Sequence, residues 1–300
     1  MALTDKLKAI GDAIRAKTGK SGKLTLDEMA SEVEALPDTS EMFTKDEIKG
    51  YFENEPKALN KLARAINQTT TSLGGYSFYE KPLITNREKV TEDEMGKALD
   101  WPMLESVGDN CFYNCNNANY DTGSLVRFKF NAPRLVSAGG YAFGFTQFRY
   151  AYLPKLKKLG TNCFISSQLK ELTLPSVEEL KESELLLPYA TVISLPALKT
   201  ISASYYFYAP FKDTFKLEAL ILADSSVVSL ADSKGLIGEL TDTRSTLSPA
   251  YSGKVKGYIY VPKALIEDYK VATNWSVFAD KFRAIEDYPD ICKPYEEATE

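Results

Sequence analysis

Three hundred residues with a net charge of −5, 44% apolar and 26% charged, make one to three domains able to bury a sizeable core. The negative balance gives no electrostatic attraction for nucleic acid or an anionic membrane, no apolar run is long enough to insert in a bilayer, and four cysteines do not make a disulfide framework. The absence of histidine removes Ser-His-Asp and Cys-His catalysis, histidine metal sites and the commonest general base near neutral pH. The expectation is a protein that is not an enzyme and needs no cofactor and no metal.

In chain order, Leu3, Leu7, Ile10 and Ile14 form one helical stripe, with Thr4 placed to cap it and Gly19 to end it. Charges run through Met1 to Lys20, unlike a cleaved signal peptide, so export by the usual secretory route is not expected. Thr25 and Glu28 form a capping box for a second helix carrying Met29, Val33 and Leu36 inward until Pro37. Residues 1–40 therefore read as a helical hairpin, too small to be stable undocked. The start signal recurs at Thr44/Glu47 and Thr91/Glu94. Ile48, Tyr51 and Phe52, then Leu59, Leu62, Ala63 and Ile66, predict two helices around Pro56. Residues 41–99 are thus a helical linker or oligomerisation region, with Thr69 to Gly75 (TTTSLGG) as a flexible joint.

The strongest signal is a period of 21 residues linking Pro133, Pro154, Pro175 and Pro196. At roughly 5% proline, chance gives three successive hits with odds of about one in ten thousand. Leu135, Leu156, Val177 and Leu198 follow two residues later; Ala138, Leu159, Leu180 and Ile201 follow at five, and Phe143, Phe164, Leu185 and Tyr206 at ten. Ala132, Leu153, Leu174 and Leu195 precede by one, and Phe130, Ala151, Leu172 and Ile193 by three. Pro102 opens an earlier copy with Leu104, Val107 and Phe112. A fixed period in the twenties predicts a solenoid of about six coils, each contributing a short strand that proline ends. A degenerate coil follows, where Leu217, Leu220 and Leu222 resemble the strand and Ala223 replaces the proline. After a polar stretch, Tyr258, Tyr260 and Val261 predict a last strand, and Leu265, Ile266, Tyr269 and Trp275 an amphipathic helix after Pro262. The fold class is α+β: a helical N-terminal arm, a solenoid over 100–256, a helical cap over 257–288 and an acidic tail over 289–300.

Phrases such as YLPKLKKLGTNCF and LTLPSVEEL resemble the BspA-like leucine-rich repeat. The ending GYIYVPKALIEDYKVATNWSVFADKFRAIED resembles the closing module of repeat proteins of phages and prophages of Gram-positive gut bacteria. The opening LTDKLKAIGDAIRAKTGKSGKLTLDEM is similar to an N-terminal module of their tail and structural proteins. The resemblance implies a virion component (tail fibre, baseplate or head fibre) assembled in the bacterial cytoplasm. Residues 1–40 would attach it to other virion proteins, as a homo-oligomer with a trimer favoured, and the repeats would face a host-surface glycan or protein. A decoration protein without ligand and a bacterial surface adhesin are the alternatives.

Two aromatic groups are candidate binding surfaces. Tyr150 and Tyr152 sit four and two residues before Pro154, so they point outward from the strand, beside Lys129, Asn131, Glu171, Thr173, Val192 and Ser194 on the same face. The insertion after Ile201, with Tyr205, Phe207, Tyr208 and Phe211, is expected to bulge from the repeat. Cys111 and Cys163 share a register position beside core phenylalanines and read as packing residues, while Cys292 stands alone in the tail. Glu178, Glu179, Glu182 and Glu184 read as a solvated charged turn, with glycoside hydrolysis the sharper alternative.

Overall fold

The computed structural model describes residue 12 and residues 67–80, 99–115, 129–181, 185–202, 209–254 and 256–293. The hairpin expected over 1–40, the helices expected up to Ile66, the start signal at Thr91/Glu94, Tyr205 to Tyr208, Glu182, Glu184 and the end of the tail from 294 lie outside the described residues.

Among the described residues, fourteen short strands form two parallel ladders. In chain order they are β1 (Ser72–Leu73), β2 (Ser106–Val107), β3 (Lys129–Asn131), β4 (Ser137–Ala138), β5 (Tyr150–Tyr152), β6 (Lys158–Leu159), β7 (Glu171–Thr173), β8 (Glu179–Leu180), β9 (Val192–Ser194), β10 (Thr200–Ile201), β11 (Ala219–Ile221), β12 (Ser229–Leu230), β13 (Tyr258–Val261) and β14 (Phe282–Ala284). The three-residue strand before each proline builds the face ladder, and Lys129 pairs with Tyr150 and Glu171 with Val192 one period away. The prolines therefore stand at equivalent corners. Proline ends the strand because it has no N–H to offer the next coil. The chain turns there and makes a second rung of two residues, four and five positions after the proline. The repeat pattern predicts one strand per coil; two ladders are found, because the two-residue rung is too short to leave an alternating pattern.

The repeat residues fill the space between the ladders. Phe130, Ala132, Leu135, Leu156, Leu172, Leu174, Val177, Leu180, Ile193, Leu195 and Leu198 are buried in one continuous core. Ala151 and Leu159 are only half-buried. Phe78, Phe112, Phe143 and Phe164 stack along the axis at 5.3, 5.5 and 5.2 Å with nearly parallel rings. Each such side chain contributes roughly 1.5–3 kcal/mol through burial. Cys111, Cys115 and Cys163 are buried with them, and burial pushes the Cys111 thiol up to about 12.

Ser72 and Leu73, expected in a flexible joint, instead pair with Ser106 and Val107. The segment packs directly on the next coil: a Cβ on Gly108 would stand 2.5 Å from the Gly75 nitrogen.

Both ladders are interrupted at the same level. No hydrogen-bonded ladder joins β5 to β7 or β6 to β8 among the described residues. The core runs through this seam unbroken, and backbone bonds from Lys170 N–H to Arg149 O and from Gln168 N–H to Thr146 O cross it.

The later coils lengthen. Ala219 pairs with Val192 and with Tyr258, intervals of 27 and 39 residues. The stretch between β12 and β13, expected to be only polar, contains helix α1 (Lys234–Ile237) and sends Leu236, Ile237 and Leu247 into the core. Phe211, expected to bulge outward, is fully buried. Beyond β13, a 3-10 turn, helix α2 (Ile266–Val271) and a second 3-10 turn close the stack. Val228 ties this cap down: its N–H donates to the Tyr269 hydroxyl at 2.9 Å, and its carbonyl accepts from Trp275 Nε1 at 2.7 Å. The cap ends in β14, an additional rung pairing with β13.

Candidate functional site

Parallel pairing in register aligns equivalent side chains into columns, so the outward positions of the face ladder form two rows. One runs Lys129 and Tyr150 and, beyond the seam, Glu171, Val192, Ala219 and Tyr258; the other runs Asn131 and Tyr152 and, beyond the seam, Thr173, Ser194, Ile221 and Tyr260. The structure thus brings together the six candidates Lys129, Asn131, Tyr150, Tyr152, Glu171 and Thr173 on one surface. Lys129 Nζ lies 5.5 Å from the centroid of the Tyr152 ring. Tyr205, Phe207 and Tyr208 lie outside the described residues.

The C-terminal half of this face is covered. Ala219, Ile221 and Tyr260 are buried under Ile285 and Cys292. Cys292 therefore packs on the sheet, and burial raises its thiol to about 11. Burial likewise raises the Tyr260 phenol, followed by the influence of Cys292; its ring meets Tyr288 edge-on at 5.4 Å. The start of the expected acidic tail is thus a strap across the sheet. Between this strap and the open half lies a groove of about 740 Å³. Tyr150, Glu171, Thr173, Val192 and Ser194 form its floor and near end, Tyr258 its far end, and Asp290, Ile291 and Lys293 a wall. Arg283 holds the Tyr258 ring, its guanidinium 4.0 Å from the centroid. Lys129, Ala151, Glu218, Ala219, Ile221, Lys256 and Tyr260 complete the lining. Sequence reasoning missed Glu218, Lys256, Tyr258 and the strap because the lengthened intervals break the period that located the other residues.

A second aromatic surface follows the corner after the two-residue rungs. Tyr79 stacks on Tyr113 at 5.1 Å, and Tyr113 meets Phe145 at 5.2 Å and Tyr141 at 6.2 Å. Tyr76, Tyr141 and Phe145 are exposed although their φ angles are 61°, 55° and 56°, a left-handed backbone disfavoured by bulky side chains. The equivalent positions in neighbouring coils hold Asn110, Asn114 and Asn162, the residues best suited to it.

Of the carboxylate cluster, the described Glu178 and Glu179 belong to neither surface. Glu178 and Glu179 stand at the second ladder, and Glu178 accepts from Lys199 Nζ at 2.8 Å. That bond and charge hold the Glu178 carboxyl below the usual glutamate range, the opposite of what a general acid requires.

Residues 97–210 match the BspA type leucine-rich repeat region, in six copies. The two-ladder stack of short parallel strands is the solenoid that such repeats form, and it continues past the matched residues to β14. No curated protein matches the chain.

Proposed function

We propose that this chain is a non-catalytic attachment protein of a bacteriophage virion, assembled in the bacterial cytoplasm. Its N-terminal residues 1–40 fasten it to other virion proteins and assemble it as a homo-oligomer, a trimer in the favoured form. The solenoid presents the grooved face of its sheet to a glycan or protein on the host surface. The opening and closing segments support the virion assignment through their resemblance to phage modules. The single observation carrying the binding role is the groove, a concave surface with aromatic ends and polar lining on a repeat type suited to surface binding. Several weak sites held in one oligomer would add their affinities through effective concentration. Deleting the chain from the particle that carries it is expected to slow adsorption to host cells. Unchanged adsorption rejects the attachment role and leaves a decoration protein.

The BspA-type match favours a second reading, a bacterial surface adhesin. Immunolabelling separates the two, since an adhesin decorates the cell envelope and a virion protein the particle.

A further inference from the structure

The groove on the sheet face is specific enough in its chemistry to narrow the class of its occupant. Tyrosines stand toward its two ends, Tyr150 one coil in from Lys129 and Tyr258 four coils further along the solenoid axis across the seam, a separation of about 19 Å at the usual strand spacing. The floor between them is low, built from the short side chains of Thr173, Val192 and Ser194. Three ammonium groups (Lys129, Lys256, Lys293) and three carboxylates (Glu171, Glu218, Asp290) line it. This balance gives no net pull on a polyanion or a polycation.

A protein partner fits poorly. Such partners bury about 800 Å² a side and concentrate uncharged side chains at the centre, whereas this groove has charges along its length. Its volume falls inside the range of roughly 300–1,000 Å³ typical of sites for small ligands. A sugar ring has an apolar C–H face that packs on an aromatic ring, and hydroxyls that both donate and accept. It therefore satisfies carboxylates, ammonium groups and hydroxyls together without carrying charge.

We infer that the groove binds a neutral oligosaccharide lying along the solenoid axis, with sugar rings against Tyr150 and Tyr258 and sugar hydroxyls paired with Glu171, Thr173 and Ser194. The inference rests on the attachment role proposed above and names the ligand class of that same surface. The strap is part of the site, because Asp290 and Ile291 supply the wall that makes an otherwise flat sheet concave.

The test uses the full-length chain and two probes in parallel. The first is a series of uncharged gluco-, N-acetylgluco- and rhamno-oligosaccharides of two to six sugars, titrated by calorimetry; the second is fluorescently labelled chain mixed with Gram-positive cells. For at least one series, affinity is expected to rise with length until the ligand spans both tyrosines. Tyr150→Ala and Tyr258→Ala are each expected to weaken it by about tenfold, as befits one lost ring contact. Glu171→Gln, an exposed substitution that leaves the fold intact, is expected to weaken it several-fold. If no neutral oligosaccharide binds while Tyr150→Ala still abolishes cell binding, the occupant is a protein or a charged polymer: the inference is overturned and the attachment role stands. Oligosaccharide binding unchanged in all three variants places the ligand elsewhere and also overturns it. Groove-dependent oligosaccharide binding without cell binding sustains the inference and removes the attachment role.

Discussion

Gly108, Gly139 and Gly160 close the corners of the coils before the seam, whereas Lys181 and Ser202 stand at the same register position after it. The earlier coils also share the phenylalanine stack and a run of left-handed corner residues from Tyr76 to Ser166, a conformation that recurs after the seam at Asp213. The coil after the seam has Leu185 where the earlier coils have Phe143 and Phe164, and further on the intervals of the face ladder reach 27 and 39 residues. One solenoid is thus built in two ways. Before the seam the backbones of successive corners touch, although the intervals between their rungs are 34, 31 and 21 residues; after it the corner glycine is replaced, and the chain adds a helix and a cap. The groove spans the seam and takes Lys129 and Tyr150 from one half, Glu171 to Tyr258 and the strap from the other.

Adding a methyl group at the corner tests this contrast most severely. A Cβ on Gly160 would lie 2.2 Å from the Gly140 nitrogen and 2.4 Å from the Gly139 carbonyl carbon, and backbone cannot swing aside as a side chain can. Gly160→Ala is expected to cost about 1–3 kcal/mol or more in denaturant unfolding. Ser202→Ala, at the same register position after the seam, loses only exposed or half-buried hydrogen bonds to Glu179 and Leu180 and is expected to stay within about 1 kcal/mol. Equal costs at the two sites would show that the corners are equivalent and the contrast empty.

A smaller effect is expected where the half before the seam bears bulky rings on left-handed backbone. Phe145 has φ 56° and is 40% exposed. Asn at this position, as at Asn114 one coil earlier, relieves a backbone cost of roughly 1–2 kcal/mol. The ring contact with Tyr113 at 5.2 Å opposes that gain by about 0.5–1.5 kcal/mol. Phe145→Asn is therefore expected to change stability by less than about 1 kcal/mol, measured by the same unfolding curves. A loss above about 2 kcal/mol would mean that the corner rings are a structural stack, with packing that outweighs the backbone conformation.

The coils from Pro133 to Pro196, on both sides of the seam, were legible in the sequence because their interval is a constant 21 residues, so these prolines and their neighbours announced which side chains point inward and which outward. Lys129, Tyr150, Glu171 and Thr173 followed from strand alternation alone. The coils beyond Ile201 were not legible to the same degree. Once insertions are tolerated, Tyr258 and Glu218 share a surface with Tyr150 without sharing an offset from a proline. Leu236, Ile237 and Leu247 were hidden among polar neighbours, and Phe211 was misplaced because an aromatic-rich insertion looks alike whether it turns in or out. The strap carries no periodic signal, since its placement depends on Cys292 and Ile285 finding the apolar patch of Ala219 and Ile221. The seam left no trace either: Glu178 and Glu179 read simply as part of a solvated charged turn.

Those charges supply the smallest effect, and it depends on pH. Glu178 lies on the far lip of the seam, bonded to Lys199 of the next coil, and Lys157 on the near lip adds its attraction. The pair lowers the Glu178 carboxyl below its ordinary value of 4.5 and raises the Lys199 ammonium. A carboxyl with a depressed folded value stabilises the fold above the unfolded value, and that contribution is lost as pH falls through the folded one. Glu178→Gln is therefore expected to be slightly less stable than the parent near neutral pH, with the difference shrinking to nothing as the solution is acidified below 4.5. High salt is expected to shrink it as well, because both groups are exposed and screened. Adding Lys157→Ala tests whether the seam is bridged by charge: the parent-minus-Gln difference should then narrow at neutral pH. If it stays the same, Lys199 alone holds Glu178, and the two halves are joined at this level by their common core and the few backbone bonds that cross it.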